Sequence, residues 1–195
     1  AREARDHAAN AMHAVDRYLE AHVLGLQVLA NSPHIDDPGQ WRDFRTEATG
    51  FRAHFGGHVI LADPGGQMLL NTRVPAGQPL PMLPRPRGHA AVPEVLATGR
   101  PAVGDVFPGP IAGEPLIAVV VPVVREGRAT HLLLSTVETR AFADRLAALA
   151  LPATWGLRLR DSKGEVIASR HAPAGTASGD VAPQDVFPAA SALTP

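Results

Sequence analysis

Five polar residues of this chain have the chemistry to hold a small charged molecule. Arg73, Arg85, Arg87 and His89 lie in or beside a proline-rich segment, and Asp105 sits on the strand-like run that follows it. A guanidinium offers planar, bidentate donors to a carboxylate. Asp105 could accept from a ligand amine or pair with one of the arginines. The competing reading is a set of solvated loop charges. Pro75, Pro79, Pro81, Pro84, Pro86 and Pro93 fix φ and remove backbone donors, so the segment between residues 74 and 93 reads as a stiff loop rather than a strand. A long loop of this kind in a compact domain is a binding element or a disordered insert.

Other chemistries find little support. There is no cysteine, which excludes disulfides, thiolate catalysis and Cys-ligated zinc together. Among the 9 histidines, His54 and His58 are four apart, but Phe55-Gly56-Gly57 breaks the helix that would align them. His7, His13 and His22 fall on different helix faces or turns. Ser135, Ser162 and Ser169 lack a G-x-S-x-G context, and no glycine-rich phosphate loop precedes a lysine. Asp63 and Asp161 read as turn formers rather than a carboxylate dyad. We therefore expect no catalytic residue, no metal site and no cofactor, and a chain that is not itself an enzyme.

Composition bounds the rest. The 195 residues are 45% hydrophobic with mean hydropathy near zero, so a core is available. Aromatics make up only 5%, which leaves that core to Val, Leu, Ile and Ala. The formal net charge is -1, and Lys163 is the only lysine. The arginines are dispersed, with no basic stripe for nucleic acid. No apolar run approaches the ~18–20 residues of a membrane span. The chain opens within a helical pattern without Met, as an excised fragment would.

The elements that must position these residues follow from periodicity. Ala8, Met12, Val15, Leu19, Val23, Leu26 and Leu29 form one helical face from Arg2 to Ala30. Asn31-Ser32-Pro33 ends that helix. A second helix opens at Asp37-Pro38-Gly39-Gln40, where Asp is a good N-cap and Gln40 a capping-box partner. It carries Trp41, Phe44, Ala48, Phe51 and Phe55 on one stripe and stops at Gly56-Gly57. A short helical turn covers Pro93–Thr98, followed by strands at Ala102–Phe107, Leu116–Val124 and Ala129–Val137 and a helix at Thr139–Ala150. Pro122 marks a bulge or an edge in the second of these strands. Beyond Arg170 the chain is poor in order signals.

Two hairpins share one pattern. Val59-Ile60-Leu61-Ala62-Asp63-Pro64-Gly65-Gly66-Gln67-Met68-Leu69-Leu70 and Leu157-Arg158-Leu159-Arg160-Asp161-Ser162-Lys163-Gly164-Glu165-Val166-Ile167-Ala168 are each strand, D-x-x-G turn, strand. Asp folds its carboxylate onto nearby N–H groups, and Gly supplies positive φ. A helix precedes each copy, which suggests a duplicated module. The expected class is α+β: a long N-terminal helix over 1–36, a module over 37–150 with an antiparallel five-stranded sheet flanked by helices, and a partial second module with tail over 151–195.

This order resembles the bacterial Cache (PDC, PAS-like) extracytoplasmic sensor domain, of the double-Cache type found in sensor histidine kinases. The resemblance rests on the long helix, the first hairpin running into Leu70-Asn71-Thr72-Arg73-Val74-Pro75-Ala76-Gly77, Ala97-Thr98-Gly99-Arg100-Pro101-Ala102-Val103-Gly104-Asp105-Val106, Val119-Val120-Val121-Pro122-Val123, and the second hairpin after Trp155. The family's amino-acid-binding signature of Tyr, Arg and Trp-Tyr between the modules is not found, which counts against an amino-acid ligand. The resemblance implies that the loop bearing Arg85, Arg87 and His89 borders a ligand pocket. It also implies a periplasmic sensor of an inner-membrane protein, anchored by flanking helices and taking a small carboxylate or zwitterion. A homodimer through the N-terminal helix fits the same picture. A chemoreceptor or diguanylate cyclase sensor, or a dimerisation spacer that senses nothing, are the alternatives.

Overall fold

A computed structural model describes residues 2–171. The tail read as poor in order signals lies from 172 onward, outside the described residues. Helix α1 (Arg2–Leu29) buries Val15, Leu19, Val23 and Leu26 on the stripe expected of it. Its first turns bury nothing, and Leu24 and Val28 point outward, 62% and 75% exposed. None of the described helices is long and apolar enough to cross a membrane.

The N-cap at Asp37 is real, but it caps a single 3-10 turn (Pro38–Gln40), with Oδ1 accepting from Gly39 N at 2.8 Å. Helix α2 (Trp41–Phe55) then starts at Gln40 without a side-chain cap. Gly56, with φ of 85°, closes it in the left-handed conformation that favours glycine.

Strands β1 (His58–Ala62) and β2 (Met68–Asn71) form the first hairpin, and α3 (Ala91–Thr98) follows the proline-rich segment. Then come β3 (Ala102–Val103), β4 (Phe107–Pro108), β5 (Pro115–Arg125) and β6 (Arg128–Glu138). The antiparallel sheet runs β2-β1-β6-β5-β3, with β4 also paired to β5. The single strand expected over 102–107 is thus split. Asp105 N turns away to His89 O at 2.9 Å, and Val106 N turns to Asp161 Oδ2 at 3.3 Å. Pro122 sits on the part of β5 that neither β3 nor β4 covers, so one side of it is an open edge, where a missing N–H is tolerated. The β5–β6 turn is two residues, Glu126 and Gly127, both with positive φ, the twist a tight hairpin requires.

Period-2 alternation divides the sheet into two buried faces. Val59, Leu61, Ile117, Val119, Val121, Leu133 and Val137 pack on α1, α2 and α4 (Thr139–Ala147). Ile60, Ala62, Met68, Val120, Leu132 and Leu134 face the other way, toward α3 and the proline-rich segment. One polar pair interrupts the first face: His22 Nδ1 lies 2.9 Å from Ser135 Oγ, both fully buried. Burial pushes the His22 pKa down to about 4.

The second hairpin, β7 (Leu157–Arg160) and β8 (Val166–Arg170), makes its own two-stranded sheet beside α4 and adds no strand to the first. Its turn repeats the first in detail. Asp63 N donates to Gln67 O, Gly66 N to Asp63 O, and Gln67 N to Asp63 Oδ1. Asp161 N donates to Glu165 O, Gly164 N to Asp161 O, and Glu165 N to Asp161 Oδ1. Both glycines have positive φ, and both hairpins carry a register shift beside the turn.

Candidate ligand cavity and comparison with known structures

The second sheet face does not close completely. A cavity of about 430 Å3 lies between it, α3 and the proline-rich segment, within the ~300–1,000 Å3 range of small-molecule sites. Its floor is Ile60, Met68, Leu116, Ala118, Val120 and Leu134, and its roof includes Met82, Leu83, Pro84 and Pro86. These are apolar. The polar groups gather at one end of the sheet.

That end is set by register. Ile60 faces Asn71 across β1–β2, and Thr136 on β6 faces both His58 and Ala118. Asn71 and Thr136 are therefore cavity-facing on β2 and β6, the two strands that flank β1, at 1% and 2% exposure. Asn71 Oδ1 accepts from Arg73 N at 2.9 Å, which folds the chain after β2 back toward the sheet. Among the described residues its amide nitrogen has only the Met68 thioether, 3.8 Å away. Arg73 then lines the cavity, and its Nη2 donates to Glu138 Oε1 at 2.6 Å. Both side chains are nearly buried, and Arg73 Nε has no partner among the described residues. Burial alone would raise the Glu138 carboxyl, but the hydrogen bond and charge of Arg73 outweigh it, and its pKa lies below the usual value. Neighbouring His58, 3.1 Å from Thr72 Oγ1, is pushed down to about 4 by burial first, then by the charges of Arg73 and Arg52.

The roof is pinned at both ends. Gln67 Nε2 donates to Leu80 O at 2.8 Å, and Leu83 N to Gly66 O at 2.7 Å, so the first turn holds residues 80–83. At the far end Asp105 Oδ2 accepts from His89 N at 2.7 Å. Gly88 makes that contact feasible, because a Cβ there would fall 2.1 Å from Asp105 Oδ2.

The sequence-derived candidates separate in space. Arg73 lines the cavity, and Arg85 lines it from an exposed position with no partner among the described residues. Arg87 is exposed and is not part of the lining. His89 is also outside it and pairs with Glu94 at 2.6 Å. Asp105 lines the cavity at 1% exposure, but its oxygens are taken: besides His89 N, they accept from Ser162 N at 3.0 Å and Ser162 Oγ at 2.6 Å. Asn71, Thr136 and Glu138 were missed. The signal for Asn71 and Thr136 was a polar residue at a cavity-facing position of an otherwise apolar strand; Glu138 lies outside the lining and acts on it through Arg73.

No known family model matches the chain, and no curated protein matches it. Solved structures do. The ligand-binding domain of the Campylobacter jejuni chemoreceptor Tlp3, in complex with L-valine, matches with a TM-score of 0.63 at 14% identity, over 84% of this chain and 68% of that one. The ligand-binding domain of the Pseudomonas fluorescens chemoreceptor CtaA, with L-isoleucine, gives 0.60 at 12%, over 82% and 64%. The sensor domain of the Vibrio cholerae histidine kinase DctB gives 0.58 at 9%, over 74% and 58%. This chain thus spans about three-fifths to two-thirds of each of these domains. A long helix, a PAS-like sheet covered on both faces and a second hairpin after it give this chain the fold of Cache (PDC-type) sensory domains.

Proposed function

We propose that this chain is an extracytoplasmic ligand-sensing region of a membrane-bound signalling protein, and that the cavity over the second sheet face is its ligand site. The observation that carries this is the combination of an apolar cavity of about 430 Å3 with one nearly buried arginine at its polar end. A pocket of that shape takes a small molecule with an apolar body and one anionic head group. The guanidinium of Arg73 and the amide of Asn71 are the donors that would meet the head group. Arg85 at the mouth adds a second cation. The chain supplies binding and no chemistry of its own.

Fold neighbours that are sensory domains of two chemoreceptors and a histidine kinase support the sensing role. The parent output we propose is a histidine kinase, as in DctB, with the signal leaving through the helices and the second hairpin. A thermal-shift screen of small organic acids against neutral amides of the same shape tests the reading. A ligand that binds only the folded state raises Tm by mass action. Acids that stabilise the protein where their amides do not are the expected result, and a flat response to every acid would favour the spacer alternative.

A further inference from the structure

Resting on that reading, we infer that the cavity selects carboxylic acids that lack an α-ammonium group, and discriminates against the amino acids of the same shape. An α-amino acid needs an anionic or strongly accepting partner for its ammonium beside the arginine that takes its carboxylate. The charged side chains lining the cavity are Arg73, Arg85 and Asp105. Asp105 is the one anion among them, and it is already committed. A carboxylate has about four acceptor positions, and three donors occupy Asp105: His89 N, Ser162 N and Ser162 Oγ, at 2.7, 3.0 and 2.6 Å. These donors come from two different segments that pack together on it, so freeing an oxygen means moving the roof or the second hairpin.

The other polar side chains at that end already have partners, and none of them but Glu138 is anionic. Glu138 is bound to Arg73. Asn71 Oδ1 accepts from Arg73 N, and the Thr136 hydroxyl donates to His58 O at 3.3 Å, which fixes its orientation. An ammonium entering this cavity would lose its water and meet two arginines. A carboxylate with an aliphatic or aromatic tail meets the Arg73 and Asn71 donors and apolar walls, while the one anion of the lining, Asp105, already holds three donors. The fold neighbours crystallised with L-valine and L-isoleucine therefore share this architecture without sharing the ligand class.

Calorimetric titration with three matched pairs tests this: 3-methylbutanoate against L-valine, 4-methylpentanoate against L-leucine, and 3-phenylpropanoate against L-phenylalanine. At least one acid should bind ~10-fold or more tightly than its amino acid, because an unpaired buried charge is heavily penalised. An amino acid that binds as tightly as its acid overturns the inference and leaves the sensing role standing. Six silent titrations overturn both. Ser162→Ala removes the shortest donor to Asp105 and should narrow the ratio within the best pair. An unchanged ratio would show that Asp105 is not what excludes the ammonium.

Discussion

Asp105 joins three parts of the molecule, so Asp105→Asn is the most informative single change to its architecture. Its carboxylate accepts one bond from the roof at His89 and two from the second hairpin at Ser162. Asp161 answers from that hairpin by accepting from Val106 N. An asparagine keeps the shape but turns one acceptor into a donor. If its oxygen stays toward His89 N, its amide confronts Ser162 N; if it flips, the amide confronts His89 N. At least one N–H is orphaned either way, and the surviving bonds lose their charge. Hydrogen bonds to charged groups are worth ~1.5–3 kcal/mol each and neutral ones ~1, so the loss should be about 2–4 kcal/mol. The repeat supplies a control. Asp63 holds only its own turn, by one side-chain bond from Gln67 N at 2.9 Å, and Asp63→Asn should cost about 1 kcal/mol or less. Urea unfolding measures both, and hydrogen exchange at the Ser162 and His89 amides localises the effect. Equal losses in the two variants, with exchange unchanged at both amides, would refute the junction.

Three further outcomes follow from the same contacts. Breaking a buried ion pair costs ~3–5 kcal/mol; the Arg73–Glu138 pair retains slight exposure, so Arg73→Met should cost about 2–4 kcal/mol in urea unfolding. Arg73→Met with Glu138→Gln should recover most of that, and both should abolish acid binding. Gly57→Ala would place a Cβ 2.0 Å from Ser135 Oγ and 3.1 Å from His22 Cε1, and should destabilise by about 2 kcal/mol or more. Gly50→Ala, on the open face of α2 with nothing within 4 Å, should instead raise stability by about 0.5–1 kcal/mol. Finally, the unfolded chain protonates His22 near 6.5 and the folded chain only near 4. Stability is therefore whole above pH 6.5 and lost as pH falls toward 4, by at most about 3 kcal/mol from this residue. His22→Gln should remove that share of the acid slope, and an unaltered pH profile would contradict it.

What the sequence disclosed and what it hid divide along the range of the interactions. Helical and strand periods are local, so the stripe of α1, the aromatic stripe of α2 and the β5–β6 hairpin were legible. The D-x-x-G turns were legible for the same reason, because Asp63 and Asp161 bond within their own turns. Arg73 stood out by its type and its place after the first hairpin, but its partner Glu138 is 65 residues away. Asp105 could be flagged as a carboxylate near the loop. That Ser162, 57 residues on, would consume its oxygens left no local trace. His22 read as an unremarkable helix residue, since its partner Ser135 lies 113 positions off. Arg85, Arg87 and His89 alternate along a stiffened segment, and the cavity receives the first of them only.

Protein-observed NMR titration with 4-methylpentanoate tests the central claim most directly. Saturable shifts should concentrate at the amides of Ile60, Asn71, Ala118 and Thr136, which frame the polar end of the cavity, and should vanish in Arg73→Met. Saturable shifts that map instead to α1 or to the exposed Arg87, and that survive Arg73→Met, would contradict a ligand site on the second face of the sheet.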